Sequence, residues 1–75
     1  MPELPLVSGT EAINAFSKVG FVEVRTKGSH HVLKKPGHKL NLTVPVHRDK
    51  RLKRGTLRRL IETAGLSVQQ FVDLL

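Results

Sequence analysis

Three short β-type runs divided by two glycine turns constrain this chain more than any other feature. Phe21-Val22-Glu23-Val24-Arg25 alternates and is β-branched, Lys27-Gly28 turns the chain, and His30 to Lys35 reads as a second strand. Pro36-Gly37 suits the central positions of a type II turn, where glycine supplies the positive φ. Leu40, Leu42, Val44 and Val46 then alternate with Lys39, Asn41, Thr43 and Pro45, which predicts a strand with one face buried and one wet. Pro45 has no N–H to donate, so it marks that strand's end or an edge. Strands joined in succession by such short turns form an antiparallel meander.

Helical patterns flank the meander. Ser8 and Glu11 stand at capping-box spacing, and from Thr10 to Val19 the residues Ala12, Ile13, Phe16 and Val19 share one helix face. Gly20 is placed to end that helix. After a basic loop from His47 to Lys53, Gly55-Thr56 opens a second helix, with Leu57, Leu60, Ile61 and Ala64 on one side and Arg58, Arg59 and Glu62 on the other. Gly65 stops it. Ser67 and Gln70 form another capping box before a short final helix carrying Val68, Phe71, Val72 and Leu75. Residues 1–7, with Pro2 and Pro5, read as an extended lead-in. The expectation is an α+β fold: a three-stranded antiparallel sheet in the order α-β-β-β-α, helices on one face, and a short C-terminal helix. It occupies residues 1–75 as a single domain. A chain of 75 residues buries only a thin core, which leaves room for stabilisation by a partner.

Without cysteine there is no disulfide framework and no thiolate metal site, which fits a reducing cytosol. Met-Pro-Glu-Leu-Pro lacks a basic n-region, and no apolar run is long enough to span a bilayer, so a soluble cytoplasmic domain without signal peptide is expected. The net charge of +7 is concentrated: 12 of the 13 Lys and Arg lie between Arg25 and Arg59, with Asp49 the one acid among them. Such a block points to a polyanion, nucleic acid first and an acidic protein second. A membrane surface ranks below both, because the cations do not follow one face of an apolar helix.

Lys27-Gly28-Ser29-His30-His31 is the stretch most suited to chemistry. Serine can donate and accept, and histidine exchanges protons near neutrality. The plain reading is a polar hairpin turn followed by two surface histidines. Adjacent on a strand, His30 and His31 point to opposite faces and cannot jointly chelate one ion, so no metal and no other cofactor is expected. Metal-free RNA cleavage needs a base for the 2′-hydroxyl, an acid for the 5′-oxygen and cations on the phosphate. Histidine suits the first two tasks, and Lys27, Lys34, Lys35, Lys39, Arg48, Lys50, Arg51, Lys53 and Arg54 suit the third. Ser29 has no identifiable activating partner and reads as support. His47, just past the third strand, reads more as a packing or capping loop histidine than as a second proton-transfer group. His38, in the Pro-Gly turn, is expected to be solvated. With only three Phe as aromatics, and Phe16 and Phe71 on core faces, base stacking is poorly provided for.

Gly20-Phe21, Gly28-Ser29-His30-His31, Val44-Pro45-Val46-His47, Arg54-Gly55-Thr56-Leu57 and Ala64-Gly65-Leu66-Ser67, in this order and spacing, resemble the HicA/YcfA family of mRNA interferase toxins. The resemblance runs from about Leu4 to Leu75. It implies a double-stranded-RNA-binding-like fold and a small endoribonuclease that cleaves mRNA without the ribosome, restrained by a HicB-type antitoxin. The family's catalytic histidine lands on His30. Some members place it one residue later, which makes His31 the reserve. Two other readings use the same patch: a non-catalytic RNA-binding module, and an interaction protein whose cations mainly dock an acidic antitoxin.

Overall fold

In the computed structural model, which describes residues 3–48 and 50–75, the chain runs α1 (Gly9–Ser17), β1 (Val22–Lys27), β2 (His30–Lys34), β3 (Leu42–Pro45), α2 (Arg54–Thr63) and α3 (Val68–Val72). The sheet order is β1-β2-β3 and both pairings are antiparallel, the expected meander. Both helix starts predicted as capping boxes are formed: Ser8 accepts from the Glu11 N–H while Glu11 accepts from Ser8, and Ser67 and Gln70 do the same. At the end of α1, the Phe21 N–H donates to Phe16 and Gly20, at φ 103°, donates to Ser17. These two bonds are the Schellman closure. They carry Phe21 off the helix and into the core, its ring edge-on to Phe16 at 6.0 Å.

α1 and α2 both lie on β3, and Leu33, Leu42 and Val44 face them. Phe16 sits at the centre, with Phe71 of α3 packed 5.1 Å from its ring. The N-terminal segment contributes Leu4 and Val7 to this core, and an isolated antiparallel bridge joins Ser8 to Arg51. Gly9 makes the close approach of α1 to β3 possible. A Cβ there would come within 2.5 Å of the Pro45 carbonyl and 2.8 Å of Val46 Cγ2.

Three expectations change. The first strand begins at Val22, and all six of its residues are exposed, because the helices cover β3 and leave β1 at the sheet's uncovered margin. Leu40, expected on the buried face of the third strand, lies before β3 and is 59% exposed. His38, expected to be solvated, is half-buried against α2, as described below.

Candidate functional site

The β1–β2 turn is a two-residue loop, Gly28-Ser29, with Gly28 at φ 60°. A positive φ at the first loop position belongs to the primed turns whose twist matches the flanking strands. His30 follows immediately as the first residue of β2, facing Lys27 on one side and Pro45 on the other. Directly opposed residues share a face. The register therefore groups Arg25, Lys27, His30, Val32, Lys34 and Thr43 on the face away from the helices. His31 pairs with Thr26 and Val44 on the helix-covered face. As predicted from strand geometry, the two imidazoles diverge.

A β-bulge at Val24 separates charges that simple alternation would have put together. Glu23 opposes Leu33, whereas Arg25 opposes Val32, so one extra residue sends the carboxylate to the helix side and the cations to the open side. Arg25 thereby joins the site, although its sequence position gave no reason to include it. Glu23 is the sheet's one acidic residue and contacts His31 Nδ1; Thr26 Oγ1 is 3.5 Å from the same nitrogen. This is the one ion pair among the described residues, and none of them pairs a Lys or Arg with a carboxylate. His30 makes no side-chain hydrogen bond to any described residue, while Ser29 is half-buried and its carbonyl accepts from the Val46 N–H at 2.7 Å.

Apart from Lys27, which faces His30, the sequence-predicted cations fall into two groups. Lys34, Lys35 and Lys39 lie toward the far end of the sheet, about 13 Å from the Gly28 turn for a strand of this length. Lys35 is half-buried, its ammonium 5.7 Å from the Phe21 ring centroid. Arg48, Lys50, Arg51, Lys53 and Arg54 are exposed on the segment that leads from β3 into α2, on the His30 side of the sheet. Part of that segment closes a concavity of about 390 Å³, with His47, Lys50, Arg51 and Lys53 around it and Pro45, Leu52 and Thr56 as its less polar wall. His47 is exposed there, where its sequence reading expected packing or capping, and its side chain bonds to no described residue.

His38 is the structural histidine. Its Nε2 donates to the Thr63 carbonyl at 2.7 Å, and its ring meets the Phe21 ring edge-on at 5.4 Å. Pro36-Gly37 forms the expected turn before it: the His38 N–H donates to Lys35 and Gly37 has φ 80°. No three His, Asp or Glu converge among the described residues, and no helix there is long and apolar enough to cross a membrane.

Against known proteins, the chain matches the model of one family over residues 9–66. That family is described as the HicA toxin of bacterial toxin–antitoxin systems. No curated protein matches the chain. The matched span contains all three strands, α1 and α2, and both halves of the cationic region.

Proposed function

This chain belongs to the HicA toxin family and is the toxin of a bacterial toxin–antitoxin pair; from that premise we propose that it is a metal-independent endoribonuclease that cleaves mRNA in the cytoplasm, with His30 as the proton-transfer group. The observation that carries this reading is the setting of His30: exposed beside Lys27, on a sheet face that also holds Arg25 and Lys34 and none of the described carboxylates. A phosphodiester laid on that face meets cations that offset the charge gathering on its oxygens as the bond order changes. An imidazole at the same place can take the 2′-hydroxyl proton or deliver one to the departing 5′-oxygen. The attacking group is then the substrate's own 2′-hydroxyl. The products are a 2′,3′-cyclic phosphate, or its opened monophosphate, and a 5′-hydroxyl.

His31 is the reserve. Its Nδ1 is engaged by Glu23 on the other face, so its assignment would require RNA to reach around the hairpin end. Ser29 supports the turn through its backbone. A HicB-type antitoxin, acidic over the area that covers the cationic face, fits as the restraint on this activity, and opposite charge would speed the encounter.

A second reading is a non-catalytic RNA-binding module. It is favoured by one observation, that no described side chain orients the His30 ring. The test is incubation of purified protein with plain RNA in EDTA, for wild type and His30→Ala, alongside an RNA analogue 2′-deoxy at the cut. Cleavage by wild type alone, absent on the analogue, supports the nuclease. Binding of varied RNAs without cleavage supports the module, and loss of activity with EDTA refutes the metal-free mechanism.

A further inference from the structure

The concavity between the end of β3 and α2 is more than a place where cations accumulate. Its rim is pinned: the Leu52 N–H donates to the Val7 carbonyl at 2.8 Å, Arg51 bridges to Ser8, and the Lys50 N–H donates to His47 at 3.1 Å. Leu52 also packs against the core. The cations there stand on a held backbone, which lowers the conformational entropy lost when a ligand is clasped. Pro45, on its wall, is the direct cross-strand partner of His30, and His47 follows two residues later, about 7 Å further along the chain. The concavity therefore lies at the same end of the sheet as His30, one strand away from it.

We propose that this concavity is a nucleotide subsite: resting on the RNA-cleaving reading above, it seats the phosphate and ribose next to the phosphodiester held at His30. Lys50, Arg51 and Lys53 take the phosphate oxygens. Thr56 and His47 offer hydrogen bonds to phosphate or sugar oxygens, and Pro45 with Leu52 supplies an apolar wall for the sugar. Its volume of about 390 Å³ lies at the low end of the roughly 300–1,000 Å³ of small-ligand sites. A carboxylate side chain of an acidic protein would fill only a corner of such a space and could be satisfied equally by a flat patch. A phosphate with its sugar uses the charge, the hydroxyl and the apolar wall together.

The test uses the whole protein and three probes: inorganic phosphate, a single-stranded oligonucleotide with 2′-O-methyl riboses that cannot cleave, and a cleavable RNA. Both non-cleavable probes are expected to shift the backbone amide signals of His47, Arg51 and Thr56, phosphate the smaller set. Lys50→Ala/Lys53→Ala, both exposed positions, should weaken the oligonucleotide about tenfold or more and flatten its log–log salt slope by about 1.4, the value for two lost contacts to a single strand. His47→Ala should raise KM while kcat holds, the mark of lost uniform binding. If wild type cleaves RNA but the double variant binds the oligonucleotide with unchanged affinity and salt slope, the subsite is wrong and the nuclease reading stands. If wild type neither binds nor cleaves RNA, the nuclease reading fails and takes the subsite with it. If the double variant loses affinity only for the antitoxin, the occupant is an acidic protein and the proposal is overturned.

Discussion

The two connections of this sheet differ in length, a two-residue loop against the longer stretch between Lys34 and Leu42, yet share a glycine turn that is used differently in each. Each has a glycine at positive φ, Gly28 or Gly37, and each is followed closely by a histidine. After Gly37, the His38 ring is committed: one nitrogen donates to the end of α2 and the ring edge is packed on Phe21. After Gly28, the His30 ring bonds to no described side chain and stands beside cations that pair with no described carboxylate. Histidine beside a turn is thus no mark of chemistry by itself. What separates the two is whether a packed neighbour consumes the ring nitrogens, and that depends on which element lies over the turn. Helix α2 ends over the second turn, whereas the residues opposed at the first turn, Lys27 and His30, remain exposed.

The largest expected effects come from the two histidines, whose alanine variants should behave in opposite ways. His30→Ala should lower RNA cleavage by about 10²–10⁴-fold, the usual worth of one positioned proton-transfer group. Its stability should stay within about 0.5 kcal/mol, as for an exposed site. Single-turnover cleavage and denaturant unfolding on the same preparation decide it; a folded variant that still arrests growth would remove His30 from the mechanism. His38→Ala should do the reverse, costing about 1–3 kcal/mol by leaving the Thr63 carbonyl without its donor. Cleavage per folded molecule should be unchanged. A stable His38→Ala protein without activity would erase the distinction between the turns.

A smaller effect is expected on the open face of the sheet. Because the bulge aligns Arg25 and Lys27 with His30, Arg25→Ala/Lys27→Ala should flatten the salt slope of single-stranded RNA binding by about 1.4, the value for two lost contacts. Thr26→Ala, on the helix side, should leave the slope unchanged. Equal slopes for all three proteins would show that RNA does not lie on this face.

The smallest effect lies at the start of α1, remote in role from both turns. The Ser8 backbone N–H, and then its hydroxyl, hold the Glu11 carboxyl below its ordinary value, with Arg51 adding to the depression. A carboxyl depressed on folding contributes stability that is present above the unfolded value of about 4.3 and is lost as pH falls through the lower folded value. Glu11→Gln keeps a group that can accept from Ser8 but cannot titrate. Its thermal midpoint should therefore fall less steeply than wild type between neutral and strongly acid pH. Parallel curves would show that this cap carries no titratable stability.

Much of the architecture was legible because its signals are local. Two capping boxes, the Pro36-Gly37 turn, the Gly28 turn and the alternation through Leu42 and Val44 each depend on residues within a few positions of one another. The divergence of His30 and His31 also follows from strand geometry alone. The membership of Arg25 in the site was not legible, since alternation placed it with Glu23 and only the bulge opposite Leu33 and Val32 separates them. Nor was the concavity, whose wall joins Pro45 to residues 50–56.

By itself, then, the sequence determined the order of elements, the turns between them, the concentration of cations in its middle and the presence of an imidazole at a glycine turn. These are properties of spacing, dihedral preference and formal charge. Only the tertiary structure decided which histidine ring is packed, which face Arg25 and Lys27 serve, and where the basic loop borders a concavity. Those outcomes turn on contacts between distant segments: α2 over His38, Val7 holding Leu52, and the Gly9 backbone tight against Pro45 and Val46. Packing sets such contacts collectively, because each group must compete with every other for the same small buried volume.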